Sequence, residues 1–124
     1  MMTIRYADKI PYVFVLDHLN GVDILIKPIF GCYGIYAHGR LCLFLISREK
    51  PIHRRDINPM QNGIYIATTA EHCTELRVVF PQAEFQMLKA GKVWIFVSEL
   101  LDRFEEYTIA ACEMISRSDH RIGR

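Results

Sequence analysis

Residues 24–46 read ILIKPIFGCYGIYAHGRLCLFLI, a pattern that predicts a β-meander. Side chains from Ile24 onward alternate between two faces, and this first strand is expected to end near Phe30. Pro28 has no backbone N–H, so the strand is expected at a sheet edge or with a bulge. The apolar run 41–46 predicts a central strand that is covered on both faces.

Glycines mark the expected turns of this meander. Gly31 and Gly34 separate the first two strands, where glycine permits a turn, a bulge or close backbone approach. The pair His38-Gly39 predicts a tight turn into the central strand. A GxxG pattern between strands, rather than before a helix, is a poor phosphate cradle. Gly31 and Gly34 are therefore interpreted as structural.

The rest of the chain predicts further strands and three helices. Strands are expected at 63–68, 84–88 and 92–97, and helices at 8–19, between Thr68 and Pro81, and up to about Ser116. Asp8 is expected to cap the first helix. The buried stripe of that helix would contain Ile10, Val13, Phe14 and Leu16. Thr68 to Glu71 matches a capping box for the second helix.

Length and composition predict one domain, residues 1–124. The chain has 124 residues and is 51% hydrophobic, which excludes disorder for most of its length. We expect two layers: an antiparallel sheet of five or six strands packed by an N-terminal, an inserted and a C-terminal helix. A long loop is expected at 48–63, and the polar, basic tail 117–124 is expected to fray.

Several patterns bear on location and on nucleic-acid binding. No apolar run approaches the about 20 residues of a membrane span, and the first residues lack a signal-peptide core, so we expect a cytoplasmic protein without membrane contact. The net charge of +1 gives no general attraction for nucleic acid. Basic residues do cluster in the expected loop: Arg48, Lys50, His53, Arg54 and Arg55. A solvated loop is the simpler interpretation, and a phosphate-contacting patch is the alternative, weakened by the lack of interleaved aromatic residues.

No residue pattern indicates catalysis or metal binding. Four cysteines occur singly, without CxxC pairs, and five histidines are scattered without HxxH or HExxH spacing. Cys73 follows His72, but adjacent helical residues point about 100° apart and make a poor nucleophile–base pair. We therefore predict no catalytic residues, no metal, no cofactor and no enzymatic activity.

The motif PIFGCYGIY resembles the TfoX N-terminal domain family and its YjbR-related neighbours. Members typically show Met-Phe-Gly-Gly, an aromatic residue, Gly, an aliphatic residue and an aromatic residue. The match falls on Phe30, Gly31, Tyr33, Gly34, Ile35 and Tyr36, and the sequence departs from the pattern at Ile29 and Cys32. The stretches NGIYIATTAEHCTELRVVFP and FEEYTIAACEMISRSDHRIG are similar to uncharacterised stand-alone members.

The resemblance implies an antiparallel α+β fold that is often dimeric. Full-length relatives regulate bacterial competence genes and carry a second, helical domain, and no catalytic residues are established for the family. The similarity ends where that second domain would begin, so we do not expect direct transcriptional regulation to carry over.

Three functions remain open from the sequence. The first is a non-catalytic interaction or regulatory module, a homodimer that binds a protein partner through a sheet face or edge. Its candidate contacts are Tyr33, Tyr36 and the basic loop residues Arg48, Lys50, His53, Arg54 and Arg55. The second is a small-molecule-binding domain with an apolar pocket near Trp94 and the 31–34 turn. The third is nucleic-acid binding through the basic loop.

Overall fold

The computed structural model of the chain describes residues 10–29, 31–48 and 61–124. The strands in these ranges are β1 (Ile24–Ile29), β2 (Cys32–Ala37), β3 (Arg40–Ile46), β4 (Gly63–Thr69), β5 (Glu84–Met87) and β6 (Lys92–Ser98). The α-helices are α1 (Phe14–His18), α2 (Cys73–Val79) and α3 (Phe104–Ser116). Short 3₁₀ turns span Ala70–His72 and Lys89–Gly91. None of the described helices is long and apolar enough to cross a membrane.

The six strands form one antiparallel sheet in the order β1-β2-β3-β4-β6-β5. The predicted meander is confirmed, because β1, β2 and β3 are sequential neighbours with β1 at the edge and β3 inside the sheet. Side chains from all three helices share one hydrophobic cluster with the same face of the sheet. The predicted two-layer α+β class, with N-terminal, inserted and C-terminal helices, is therefore confirmed.

The helix side of the sheet is a close-packed apolar layer. Leu43, Ile66 and Ile95 lie side by side on β3, β4 and β6, and none of them is accessible to solvent. Burying each such side chain contributes roughly 1.5–3 kcal/mol. Helix α3 covers this layer with Ala111 and Cys112, and burial raises the pKa of the Cys112 thiol to about 12. Cys112 is therefore a small core residue.

The opposite face of the sheet is also apolar. One cross-strand row on this face contains Lys27, Gly34, Phe44, Tyr65, Phe96 and Glu84. Its three aromatic residues are between 2% and 6% exposed, and the Tyr65 and Phe96 rings lie 4.7 Å apart. A sheet with one solvated face would alternate apolar and polar residues, whereas β3, β4 and β6 are apolar on both faces. This explains the uninterrupted apolar runs in the sequence.

The first helix is shorter than predicted. Tyr12 has a left-handed backbone, with φ of 53°, so a regular right-handed helix cannot pass through it. Helix α1 therefore occupies only Phe14–His18. Its buried positions are Val15 and Leu19 rather than Val13, which is 54% exposed, while Ile10 is buried as predicted. The predicted cap, Asp8, lies outside the described residues.

The predicted capping box is wrong. Strand β4 continues through Thr69, so Thr68 is still extended when the box would need it at a helix start. The Thr68 hydroxyl instead donates a 2.6 Å hydrogen bond to the carbonyl oxygen of Arg121. Thr69 precedes the 3₁₀ turn but makes no side-chain capping bond to it. A local sequence match was overridden by a contact between residues 53 positions apart.

The prediction that residues 117–124 fray is also wrong. The β3–β4 ladder stops at the pair Leu43–Ile66, so Leu41 and Ala67 pair with β2 and β6 but not with each other's strands across the gap. Gly123 donates to the Ala67 oxygen at 2.7 Å, and Leu41 and Arg124 exchange two backbone bonds at 3.1 and 3.2 Å. We call residues 121–124 the wedge, because they occupy the gap between the two strands.

The ends of the predicted loop 48–63 are held together. The backbone N–H of Arg48 donates to Oδ1 of Asn62 at 2.8 Å, and Nδ2 of Asn62 donates back to the Arg48 oxygen at 2.7 Å. This pair continues the β3–β4 connection beyond Ile46 and Gly63. The predicted loop residues Lys50, His53, Arg54 and Arg55 and the signature residue Phe30 lie outside the described residues, so the loop itself stays a prediction.

A glycine substitution tests the packing at the start of β4. A Cβ on Gly63 would overlap the Val97 carbonyl oxygen, and its φ of +148° is unfavourable for other residues. Gly63→Ala is expected to destabilise the chain by about 3 kcal/mol or more. Gly91 also has a positive φ but has nothing within 4 Å of an added Cβ, so Gly91→Ala should cost only about 1–2 kcal/mol. Urea denaturation measures both, and equal losses would contradict the packing.

Candidate functional site

The wedge separates two candidate sites, one on each face of the sheet. Its backbone lies between β3 and β4, and the side chain of Ile122 is buried in the helix-side core. The side chain of Arg124 points to the other face, where its Cζ lies 4.4 Å from the centroid of the Trp94 ring. A cavity lies on the helix side, and an aromatic surface lies on the other.

The cavity has a volume of about 80 Å³. Its apolar wall is formed by Ala37, Cys42, Ile115 and Ile122. Its polar wall is formed by His38, Arg40, Ser118, Asp119 and His120. Each wall combines residues around the β2–β3 turn with residues from the end of α3 and the segment after it, which are about 80 residues apart in the sequence. The site therefore forms only when segments that are distant in the sequence pack together.

Arg40 links the β2–β3 turn to the segment that follows α3. Its Nη2 donates to the carbonyl oxygen of Gly123 at 2.6 Å and, more weakly, to that of His120 at 3.3 Å. Gly123 lies close to the arginine, since a Cβ added to it would be 3.2 Å from the Arg40 Cβ. The arginine thus holds the wedge in place while its positive charge stays at the cavity wall.

His38 and Ser118 meet at the edge of the cavity. Nε2 of His38 lies 3.3 Å from the Ile115 oxygen and 3.3 Å from Oγ of Ser118. A carbonyl oxygen only accepts, so the contact with Ile115 assigns the proton to Nε2. Because Nε2 carries a single proton, the Ser118 oxygen can accept it only by sharing it with the Ile115 oxygen, and the Ser118 hydroxyl then keeps its own proton for another partner.

The carboxylate of Asp119 is neutralised by Arg121. Oδ1 accepts from the backbone N–H and Nε of Arg121, and Oδ2 accepts from Nη2 at 2.7 Å. These bonds to Arg121 lower the pKa of Asp119 to about 2. Nη1 of Arg121 also reaches Glu75 at 3.4 Å, which ties the segment to α2. This ion pair fixes the turn that carries the polar wall.

The cavity lacks a good nucleophile among its described lining residues. The Cys42 thiol is the obvious candidate, but burial raises its pKa, and its Sγ donates to the Arg40 oxygen at 3.5 Å. Across the described ranges, no group of three or more His, Cys, Asp or Glu side chains is placed to hold a metal ion.

The second candidate site is an accessible band on the other face of the sheet, which we call the aromatic strip. It consists of Leu25, Tyr36, Leu41, Arg124 and Trp94, which follow one another across the sheet from β1 to β6. Leu25 is 56% exposed, and the other four are partly exposed. Nη1 of Arg124 donates to the Val93 oxygen at 2.8 Å, so the guanidinium is held over the tryptophan.

The strip has opposite charges at its two ends. At the β1 end, Nζ of Lys27 lies 4.7 Å from the centroid of the Tyr36 ring. At the β5 end, Glu84 accepts a 3.3 Å bond from Nε2 of Gln86, the neighbour of Trp94 in the sheet. Oε1 of Gln86 is buried and has no hydrogen-bond partner among the described residues. Lys27 and Glu84 are both exposed, so each charge is available to a partner.

The predicted interaction residues do not form one surface. Tyr33 packs against the helix-side core, whereas Tyr36 lies on the other face, because they are an odd number of positions apart on β2. Arg48 is exposed where the described part of the loop begins. Lys50, His53, Arg54 and Arg55 lie outside the described residues. Of the predicted contacts that the structure describes, Tyr33, Tyr36 and Arg48, Tyr36 alone belongs to the aromatic strip.

The signature glycines have different roles. Gly31 has a φ of +79° at the β1–β2 turn, as predicted for a turn residue. Gly34 lies in the regular part of β2, and a Cβ there would make ordinary contacts of 3.5–3.6 Å. The register shift between β2 and β3 occurs at Ile35 and Tyr36 instead, and the extra residue is Cys42 of β3. Gly34 is therefore not required by its backbone conformation.

The residues that the sequence did not reveal belong to the wedge and to the β2–β3 turn. Arg40 and Arg124 are ordinary basic residues in the sequence, and their partners are more than 30 positions away. Trp94 packs against the rings of Phe44 and Tyr65. The described cavity lies on the face opposite Trp94, not in the predicted place beside it.

Removing the charge of Asp119 should destabilise the polar wall. The carboxylate titrates at a lower pH in the folded chain than in the unfolded chain, so its contribution is complete above about pH 4 and disappears as the pH falls towards about 2. Asp119→Asn is expected to cost about 1 kcal/mol at neutral pH and to become nearly neutral at pH 2. Urea denaturation at several pH values measures this difference.

The matched control for this prediction is Glu113→Gln, because Glu113 is exposed on α3. It should leave the free energy of unfolding unchanged at neutral pH. A loss in Asp119→Asn that is the same at every pH would show that the charge of the carboxylate is not what matters.

The two candidate sites are described from their geometry, because no related protein provides a comparison for them. The resemblance to the TfoX N-terminal domain family stays a prediction. The observed fold class is compatible with it. Comparison of the chain with protein-family models, curated proteins and solved structures finds no match.

Proposed function

We propose that the chain is a non-catalytic interaction module of the cytoplasm that works as a homodimer through the aromatic strip. The observation that carries the proposal is the strip itself: Tyr36, Trp94 and Arg124 remain accessible beside the exposed Leu25 on an apolar sheet face. Tyrosine, tryptophan and arginine are the residues enriched at the energetic centres of protein interfaces.

A second copy of the chain suits the charges at the ends of the strip. A two-fold axis parallel to the strands would place the strip of one copy on that of the other and reverse their direction. Lys27 at the β1 end would then face Glu84 of the second copy, and the reverse pair would form at the other end. Complementary charges at the rim fix the register of an interface more than they add affinity.

The sheet edges are poor alternatives for self-association. Pro28 and Lys27 lie on the edge strand β1, and both residue types protect an edge against pairing with another strand. The other edge strand, β5, has only four residues and begins at the exposed Glu84. These features favour contact through the sheet face.

The resemblance to the TfoX N-terminal domain family supports the same function, since that family is often dimeric and acts in regulation. A regulatory module needs a partner surface and no catalytic group. The cavity on the helix side favours small-molecule binding as the second candidate function. Nucleic-acid binding rests on Lys50, His53, Arg54 and Arg55, which lie outside the described residues.

A charge exchange tests the proposed dimer. Lys27→Glu or Glu84→Lys alone would place like charges together at both ends of the strip, and we expect each change to weaken dimerisation about tenfold or more. The double variant restores opposite charges and should recover the native dimer. Sedimentation velocity over a range of protein concentrations measures the dimer dissociation constant.

Glu113→Lys is the matched control, because Glu113 is exposed on α3, on the other side of the sheet. It should leave the dissociation constant unchanged. A native chain that stays monomeric at all concentrations would refute the homodimer. A dimer that is insensitive to both single changes would place the contact elsewhere.

A further inference from the structure

The cavity on the helix side has dimensions that select a very small ligand. Its volume of about 80 Å³ equals that of about three water molecules in the liquid. Sites for nucleotides and other large ligands are several times bigger, at roughly 300–1,000 Å³. A molecule with only a few non-hydrogen atoms fits this space.

The walls of the cavity divide it into an apolar and a polar half. Cys42, Ile115 and Ile122 are buried at 2–3% exposure and form most of the apolar half with Ala37. The Cys42 thiol stays protonated at neutral pH, because burial raises its pKa, so it acts as a small apolar group. This half would accept a short hydrocarbon chain and would reject a compact inorganic ion.

The polar half offers hydrogen-bond donors that are not fully used. Nη2 of Arg40 is bound to the carbonyl oxygens of the segment, while its Nε and Nη1 have no acceptor among the described residues. The Ser118 hydroxyl keeps its own proton for another acceptor when its oxygen shares the single Nε2 proton of His38 with the Ile115 oxygen. An arginine and a hydroxyl at one wall are a donor set for a carboxylate.

The charges around the cavity leave Arg40 as the group without an ionic partner. Asp119 also lines the cavity, but its carboxylate is bound to Arg121, which also reaches Glu75. His120 is exposed, and its ring lies against the ring of His72 with centroids 5.2 Å apart. Among the described charged residues at this wall, the positive charge of Arg40 is therefore the one that a small anion can neutralise.

We propose that this cavity binds a small organic carboxylate with a short alkyl chain. The alkyl group lies against Cys42, Ile115 and Ile122, and the carboxylate accepts from Arg40 and Ser118. The site is distinct from the aromatic strip, so it adds a ligand to the proposed interaction module. A bound carboxylate would strengthen the link between the β2–β3 turn and the wedge, because residues of both segments would contact the same molecule.

Propionate is the probe that tests the proposal. Two-dimensional ¹H–¹⁵N NMR during a propionate titration should show saturable shifts of the Arg40, Cys42 and Ser118 amides, with a dissociation constant of about 1–10 mM. Propionamide has the same size without the charge, and it should bind about tenfold more weakly. Inorganic phosphate at matched ionic strength should bind more weakly as well, because it leaves the apolar half unfilled.

Two variants locate the binding without removing the arginine that holds the wedge. Ser118→Ala and His38→Asn should each weaken propionate binding about tenfold. Asparagine tolerates the left-handed backbone at position 38, where φ is 55°. His18→Asn, at an exposed residue of α1, is the matched control and should bind propionate like the native chain.

Each result of the titration decides the proposal. Saturable shifts with propionate that weaken in both cavity variants support it. Equal binding of propionate and propionamide would overturn the carboxylate contact, and tighter binding of phosphate would overturn the alkyl contact. No saturable shift at about 100 mM propionate, ten times the weakest expected dissociation constant, would overturn the site as a whole.

Discussion

The backbone hydrogen bonds of Gly123 and Arg124 complete a ladder that β3 and β4 leave open. These two strands pair only from Leu43–Ile66 towards Ile46–Gly63. Beyond Leu43 they separate, and the backbone groups of Leu41 and Ala67 would be unsatisfied in the interior of the sheet. The wedge satisfies them from a segment about 80 residues after β3 in the chain.

Both candidate sites depend on this insertion. On the helix side, the wedge and the turn before it bring Ser118 and Ile122 to the β2–β3 turn and close the cavity. On the other face, the wedge places the Arg124 guanidinium over Trp94 and makes the aromatic strip continuous between β3 and β6. A disordered tail would leave an open gap between β3 and β4. The cavity would then be absent, and the aromatic strip would be divided in two.

The sequence predicts the elements of this fold better than it predicts their long-range contacts. Alternation and apolar runs are local signals, and they correctly predict the meander and the central position of β3. Helix α1 was too long in the prediction because nothing in the sequence marks the left-handed backbone of Tyr12. The predicted capping box at Thr68 was wrong for a similar reason, since the Thr68 hydroxyl donates to the backbone carbonyl oxygen of the distant Arg121.

The candidate sites were the least predictable part of the chain. Residues 117–124 are polar and basic, which is typical of a frayed tail, and only the gap between β3 and β4 gives their backbone a place. Tyr36 was predicted as a contact, but the Lys27 amine beside its ring comes from β1, and Arg124, which extends the strip to Trp94, comes from the tail. The single apolar signal in the tail is Ile122, which is 3% exposed.

Hydrogen exchange of the wedge amides tests this account most directly. The amide protons of Gly123, Arg124 and Leu41 each donate to a backbone oxygen in the gap, so they should be protected from exchange almost as strongly as those inside β4. Exchange of Gly123 and Arg124 at the rate of an unstructured peptide, while β4 remains protected, would contradict the account. In that case the tail would be frayed, and both candidate sites would lose their basis.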